Sequence, residues 1–522
     1  LCCFTGTSLA AQPAATGTLP WETVVNNNDT IPGYDRTFNS YNQPSVNARG
    51  KVVFRARSTG RERGPVSGIF TRDITGRNQS ILKVADRNTA VPSPNNTCYP
   101  AGGGADATTC FPEGSGQYAT FNEFPSFPRI AANSGYVATR GNSQPVWTYE
   151  PVPGTETRLG SAGVYMQTEA SELLTGASQL GSAPGHCIYQ VPDINAGITP
   201  GTRFEQFPGS PAVTDNGTIV FKGNFTHEDV PGTGIFYRDV LAGDVPIQLV
   251  AHSITKIPGS ETPFGSTAPP SAADNAVVFV GVDNEETPSE GGIYLAPLSP
   301  MPELQTLVAL GSTVPGTDGE QFKRFGEGLS FDGRFLSFWA SWGEGSRNVK
   351  LYCPQEGNRI RRDYCNHTGD FDDGNGDPLS DCSEGAGQCF QRKQVPVDQG
   401  IFLHDTQSGE TVMVARTGPE HADFLFWNYS GAPPGGHHGG HNGGEPGGED
   451  GGDSSNHRGG PRWRSSAFAA VTHAGSAHWV AYKARNGSLD TDGVYQDPVD
   501  GIYLFKGPGR DSVRTLVDTR TP

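Results

Sequence analysis

Charge is scarce in this chain. Only 18% of its 522 residues are Asp, Glu, Lys or Arg, against roughly a quarter in ordinary soluble domains. No run of 18 or more apolar residues occurs, so no segment reads as a membrane-spanning helix. The balance is acidic, with a formal charge of −17 and a pI near 5.1. No stripe of Lys or Arg interrupts it, which excludes nucleic acid as the expected partner. Apolar residues do not recur every 3.6 positions over any useful length, so long helices are not expected. Nine cysteines include no Cys-x-x-Cys pair, which turns their reading away from structural zinc. Nucleophile elbow, zincin motif, phosphate loop and dinucleotide fingerprint are all missing, and no organic cofactor is expected.

Glycine and proline are abundant instead, at 70 and 41 residues, and both break helices. Six times a Gly is followed by Ile or Val and then an aromatic: Gly68-Ile69-Phe70, Gly163-Val164-Tyr165, Gly234-Ile235-Phe236, Gly292-Ile293-Tyr294, Gly400-Ile401-Phe402 and Gly501-Ile502-Tyr503. Upstream of each stands a second repeated piece, beginning at Asn47, Ala132, Thr214, Ala272, Ser330 and Thr472. Its fourth residue is Gly50, Gly135, Gly217, Gly333 or Gly475, and Asn275 in the remaining copy. Gly and Asn take positive φ most readily, so this position reads as a tight hairpin turn. The apolar residues after it read as a strand. Downstream comes a Leu/Val-rich run, such as Ile247 to Val250 or Thr411 to Val414, and after several of these a Pro-Gly with spaced Phe.

Each repeat therefore predicts a four-stranded antiparallel meander. Sequential units of this kind make an all-β fold, a β-propeller; a stacked solenoid is the competing reading, but it keeps a stricter period. Six Gly-Ile/Val-aromatic strands set six blades. The N-terminal piece Thr23-Val24-Val25, with Pro32-Gly33 and Phe38, adds a seventh Leu/Val strand, which leaves a seventh, degenerate blade open and suggests ring closure by strands from both termini. The segment Asn47 to Phe54 (NARGKVVF) resembles the tandem repeat written NxxGxxAF, found in exported bacterial and eukaryotic proteins. The resemblance runs from about residue 22 to 518, with the other copies keeping mainly the turn and the apolar positions. It implies a propeller-like, secreted protein and no particular activity.

Residues 1–10 read as the tail of a signal peptide, with small residues at Ser8-Leu9-Ala10 for cleavage, and residues 11–522 as one propeller domain. Export is also expected from eight Asn-x-Ser/Thr sequons, at Asn28, Asn78, Asn95, Asn216, Asn224, Asn366, Asn428 and Asn486. Cys98 and Cys110 bracket a Gly-rich loop, and Cys353, Cys365, Cys382 and Cys389 share one acidic insertion. Three local disulfides, with Cys98–Cys110 and Cys382–Cys389 foremost, are their simplest use in an extracellular protein. Cys187 is then left over, unless Cys2 or Cys3 is retained to pair with it.

In such a meander, connections alternate between the two ends of the strands. The first-to-second and third-to-fourth connections are short in every repeat and share one rim. The long insertions, at about 93–120, 343–398 and 430–462, fall on the other rim, and variable loops on a rigid scaffold are where binding sites are usually built. Asp370, Asp372, Asn375 and Asp377 place oxygens at spaced positions on a Gly-rich turn, which suits calcium, although the closing Glu of an EF-hand loop is absent. A solvated acidic loop is the plain alternative. His437, His438 and His441 lie in a Gly-rich tract of low complexity and are weak candidates for a transition metal. His227, Glu228 and Asp229 are acid/base candidates, or simply an exposed polar loop. Together these features predict a non-catalytic extracellular glycoprotein that binds glycans or proteins, itself included, in a matrix, wall or surface appendage. A secreted polysaccharide lyase or glycosidase on the same scaffold is the alternative, since its active site would leave no local signature.

Overall fold

The third repeat shows how the sequence becomes a blade. At its hairpin the Gly217 N–H donates to Thr214 O (3.1 Å), with Gly217 at φ +79°. The chain then runs out along Thr218–His227 and back along Val230–Asp239, with Gly223 opposite Gly234. Gln248–His252 adds outside, and Phe204–Gln206 with Ala212–Val213 adds inside, both pairing with Thr218–His227. The computed structural model describes residues 21–521 apart from 61–63, 77–79, 101–107, 153–154, 182–184, 193–200, 229, 301, 355–364, 367–369, 372–388, 425, 431–461, 467–468 and 509–512.

Six such sheets follow one another, which makes an all-β six-bladed propeller. The two long central strands are Lys51–Arg57 and Ser67–Asp73 in blade 1, and Val137–Val152 and Thr155–Gln167 in blade 2. They are Ala276–Val282 and Gly291–Pro297 in blade 4, and Phe335–Tyr352 and Cys389–Asp405 in blade 5. Blade 6 uses Ala477–Leu489 and Tyr495–Gly507. Among the described residues helix is confined to 187–189 and 365–366. The hairpin glycine has positive φ at Gly50, Gly217, Gly333 and Gly475, as expected. In blade 4 the left-handed residue is Asp274 (φ 52°), one place before Asn275, and Gly135 of blade 2 is not left-handed. The Gly135 N–H is instead held by the Glu169 carboxylate (2.8 Å).

The Gly-Ile/Val-aromatic triplet has a steric cause. In all six blades the pairing with the outer strand shifts register between the Ile or Val and the aromatic, which is a β-bulge. The bulge presses the outer strand onto the glycine: a Cβ on Gly68, Gly292 or Gly400 would lie 2.6, 2.3 or 2.6 Å from the carbonyl oxygen of Ala85, Val308 or Ala415. The aromatic two residues on shares the glycine's face and folds back over it. In blade 3, Phe236 meets Phe204 edge-on at 4.9 Å. The Ile or Val between them points to the other face and packs against the next blade.

The first strand of each blade is the innermost, because successive first strands touch round the axis. Three serines join them: the Oγ of Ser45, Ser271 and Ser330 accepts the N–H of Ile130 (3.4 Å), Phe331 (3.1 Å) and Val471 (3.2 Å) of the following blade. Shared apolar clusters link blade 1 to 2, 2 to 3, 3 to 4, 4 to 5 and 5 to 6. Ile69, Val164, Ile235, Ile293 and Ile401 are accordingly 0% exposed, whereas Ile502 of blade 6 is half-exposed. On the far side, Val46 of the blade 1 inner strand is 60% exposed while its counterpart Val213 is 4% exposed.

The termini depart from expectation. Arg514–Asp518 completes blade 6 by itself. Val24 and Val25 pack on the Phe38–Phe54–Phe70 face of blade 1, where Arg72 donates to Val24 O (2.7 Å). This contact copies a neighbouring interface, since Arg238 at the same place in blade 3 donates to Thr175 O on the outer strand of blade 2 (2.7 Å). The extra Leu/Val strand thus keeps an outer strand's seat on the next blade without joining a sheet of its own. Among the described residues it forms neither a seventh blade nor a shared closing sheet.

Candidate functional site

The two rims are built differently. On one, the short turns bond to each other within a blade: Ile74, Val240, Leu298 and Thr406 donate their N–H groups to the carbonyls of Gly50, Gly217, Asn275 and Arg334. They also clasp neighbouring blades. Asn47 Nδ2 donates to Ser134 O (2.8 Å). Asp215 accepts the N–H groups of Asn133 and Ser134 (2.7 Å each) and Asn133 Nδ2 (2.8 Å), contacts that outweigh burial and lower its pKa. His473 Nδ1 meets Asp332 Oδ2 at 2.8 Å. This turn rim is short, and the described turns hold one another.

The opposite rim carries the extensions. The central hairpins of blades 2 and 5 run well past the sheet, to Val152/Thr155 and Tyr352/Phe390. Cys98–Cys110 closes a small hairpin on the blade 1 to 2 connection, and Cys353–Cys365 staples the end of the blade 5 arm. Both pairings agree with the local-disulfide expectation. Cys389 does not: its thiol is free and buried, donating weakly to Asn366 O (3.7 Å), and Cys382 lies outside the described residues. The Cys389 carbonyl is engaged by the arm itself, accepting the Cys353 N–H (2.7 Å). Cys187 is free and exposed. The 430–462 insertion leaves through a two-stranded ribbon, Phe426–Ser430 with Arg462–Ser466, that divides the inner edge of blade 6 between Asp423 and Ala469.

Of the remaining sequence candidates, Asp370 begins a two-residue strand against Phe390 and Cys389, and Asp372, Asn375 and Asp377 lie outside the described residues. So do His437, His438, His441, Asn78 and Asp229. No group of three or more His, Cys, Asp or Glu forms a metal cluster among the described residues. His227 and Glu228 sit at the tip of the blade 3 hairpin, with Glu228 at φ 48°. Asn28 and Asn216 are exposed, Asn366 and Asn486 half-exposed, and Asn428 lies in the ribbon strand. Asn95 and Asn224 are buried, so these two sequons do not fall on projecting loops.

Sequence reasoning missed one constellation, on the extension rim between blades 5 and 6. Asp423 is buried and accepts a hydrogen bond from the Tyr495 hydroxyl (2.6 Å). Arg347, at the root of the blade 5 arm, donates to that hydroxyl (3.2 Å) and to Ala422 O (2.6 Å). Arg485 lies over the Tyr495 ring at 5.0 Å and grips both Asp500 oxygens (2.7 and 3.1 Å). Burial, then the Asp423 charge, pushes the Tyr495 phenol up, so it stays a donor at neutral pH. Burial alone would raise Asp500, but the Arg485 hydrogen bonds prevail and its carboxyl is lowered. His421 is buried against Tyr482 and Tyr503, and burial pushes its imidazole down. These residues come from three distant segments, which is why no local motif marked them. The one readable signal was Arg485 and Asp500 at matching places on adjacent strands. Farther out on the arm, Lys350 Nζ stands 4.0 Å from the Phe390 ring and 5.8 Å from Tyr352, and Arg392 covers Phe390 at 5.4 Å.

No family model matches the chain, and no curated protein matches it significantly. Among solved structures it is similar to an oligogalacturonate lyase bound to manganese, at 9% identity and a TM-score of 0.35, over 90% of this chain and 74% of the other. It is similar to the sialidase of Trypanosoma rangeli, at 10% identity and a TM-score of 0.34, over 93% of this chain and 59% of the other. Dipeptidyl peptidase 4 of Porphyromonas gingivalis gives 9% identity and 0.33 over 93% and 53%. At such identities and scores the likeness carries no argument about this chain's chemistry.

Proposed function

We propose that the protein is a non-catalytic extracellular scaffold that binds glycans or neighbouring proteins in a matrix, wall or surface appendage, through its extension rim. The carrying observation is the asymmetry of the rims: short, mutually bonded turns on one, and both long arms with both disulfides on the other. The disulfides suit an oxidising compartment, and the likeness of Asn47 to Phe54 to the repeat of exported proteins supports the same placement. The blade 5 to 6 constellation supports binding as well. Its Tyr495–Asp423–Arg347 bonds hold the root of the arm against blade 6, so the exposed Arg392 and Tyr352 side chains are offered from a braced support.

The alternative, a carbohydrate-active enzyme, would draw its acid and base from that same constellation. The hydroxyl of Tyr495 already donates to Asp423, and its raised pKa opposes ionisation, so it is badly placed to take a proton. Replacing the arm between Val349 and Lys393, which stay in place with the buried Val395, by a two-residue turn, followed by glycan-array and matrix-binding assays, tests the proposal. Binding lost with the melting transition retained is expected. Release of reducing ends or of unsaturated uronates from polysaccharides by the parent, abolished in Asp423→Asn, would establish the enzyme instead.

A further inference from the structure

The eight sequons are not equivalent in the fold, and we infer that Asn28 and Asn216 carry N-linked glycans while Asn95 and Asn224 stay bare. The inference rests on the extracellular reading. The chemistry sets the requirement. The side-chain amide nitrogen displaces a lipid diphosphate from C1 of a lipid-linked oligosaccharide, forming the N–C1 bond and losing one proton. The product must leave that nitrogen and its sugar in water once the chain has folded.

Asn216 meets this requirement because its neighbour takes the inward role. Asp215 turns toward blade 2 and accepts Asn133 and Ser134, Gly217 closes the turn on Thr214, and Asn216 between them is exposed at the outermost point. Asn28 sits at a similar corner. Asn26 and Asp29 satisfy each other's backbone, with Asn26 N–H donating to Asp29 Oδ2 (2.8 Å) and Asn28 N–H donating to Asn26 Oδ1 (2.8 Å), and the Asn28 side chain is exposed.

Asn95 fails at the same test. It is 0% exposed, its Nδ2 donates to Ala162 O (3.2 Å), and its Oδ1 accepts the Ser178 hydroxyl, so both ends of the amide tie the blade 1 to 2 connection to blade 2. A glycan on Nδ2 would have to break these bonds and open the blade. Asn224 is 9% exposed, in the middle of a central strand opposite Thr233. The side chain faces blade 4, the side on which Thr233 Oγ1 meets Thr267 Oγ1 (3.2 Å). The sequon pattern then deepens the proposed function: a glycan at Asn216 covers part of the turn rim and leaves partners to the rim opposite.

The test is secretion of the full chain from a eukaryotic host behind a host leader, then enzymatic deglycosylation in ¹⁸O water and peptide mass mapping. Conversion of Asn28 and Asn216 to ¹⁸O-labelled Asp, with Asn95 and Asn224 unlabelled, is the expected result. Thr218→Ala should remove one glycan step on a gel, and Thr97→Ala, which abolishes the Asn95 sequon at an exposed threonine, should remove none. Label at Asn95 or Asn224 in folded protein, or a bare Asn216, overturns the inference. Because the leader forces entry into the secretory pathway, the pattern is read whether or not the native cell exports the chain. Failure to find the chain outside its native cell would overturn the extracellular reading alone.

Discussion

Replacing Gly292 by Ala probes the cause of the repeated triplet. The added Cβ would lie 2.3 Å from Val308 O and 3.1 Å from Ala309 Cα, both backbone atoms of the outer strand of blade 4. The outer strand must retreat by about 1 Å to restore contact distance, loosening the Gly292–Ala309 and Ile293–Val308 pairs and uncovering Ile293. Overpacking of this kind costs about 1–3 kcal/mol. Gly501→Ala should cost less, since its nearest neighbour is the Tyr503 ring at 2.9 Å and not backbone. Gly60→Ala is the control: it is exposed, without positive φ, and its nearest atom is Pro65 Cδ at 3.9 Å, so a change within about 0.5 kcal/mol is expected. Urea unfolding followed by tryptophan fluorescence should rank the midpoints Gly60→Ala, Gly501→Ala, Gly292→Ala, with unchanged slope. A Gly292→Ala protein as stable as Gly60→Ala would refute the steric account.

Ile293→Asp should prevent folding while Ile502→Asp leaves a folded protein, because the first side chain is 0% exposed and the second faces the half-open side of blade 6; far-ultraviolet dichroism and soluble yield check this. His252 is buried and its pKa is pushed down to about 4, mainly by burial. A depressed imidazole is neutral in the fold and protonated in the unfolded chain between about pH 6.5 and 4, so stability present above pH 6.5 is lost as pH falls through that window, by up to about 3 kcal/mol. His252→Asn should flatten this part of a melting-temperature profile, and an unchanged slope would count against it. Cys98→Ser with Cys110→Ser should lower stability by no more than about 3 kcal/mol, because the loop is short. Replacing Asp370, Asp372 and Asp377 by Asn should lower the melting temperature in calcium and not in chelator; equal melting in both buffers removes the proposed ion site.

The blades were legible because their determinants are local. A glycine two residues before a buried aromatic, and a turn glycine one or two residues before a central strand begins, recur wherever the outer strand presses in or the hairpin closes. Two of the disulfide pairs were legible for the same reason, as short separations within a loop. Cys389 was not: its neighbour Cys353 reaches it across the arm, through a cross-strand approach that spacing does not reveal. The Arg347–Tyr495–Asp423 constellation joins segments 72 to 148 residues apart, and only the packing of blade 5 on blade 6 brings them together. Burial of Asn95 was equally hidden. A sequon states what the chain offers the enzyme and not which way the folded side chain points.

Chemical cross-linking of the protein in its native setting tests the central claim, that partners meet the extension rim. Lysines mark both rims: Lys256 and Lys323, 60% and 49% exposed, and Lys393 on the arm lie toward the extensions, while Lys51 and the exposed Lys506 lie at the short turns. Intermolecular cross-links concentrated on Lys256, Lys323 and Lys393 are the result the account predicts. Cross-links confined to Lys51 and Lys506 would contradict it.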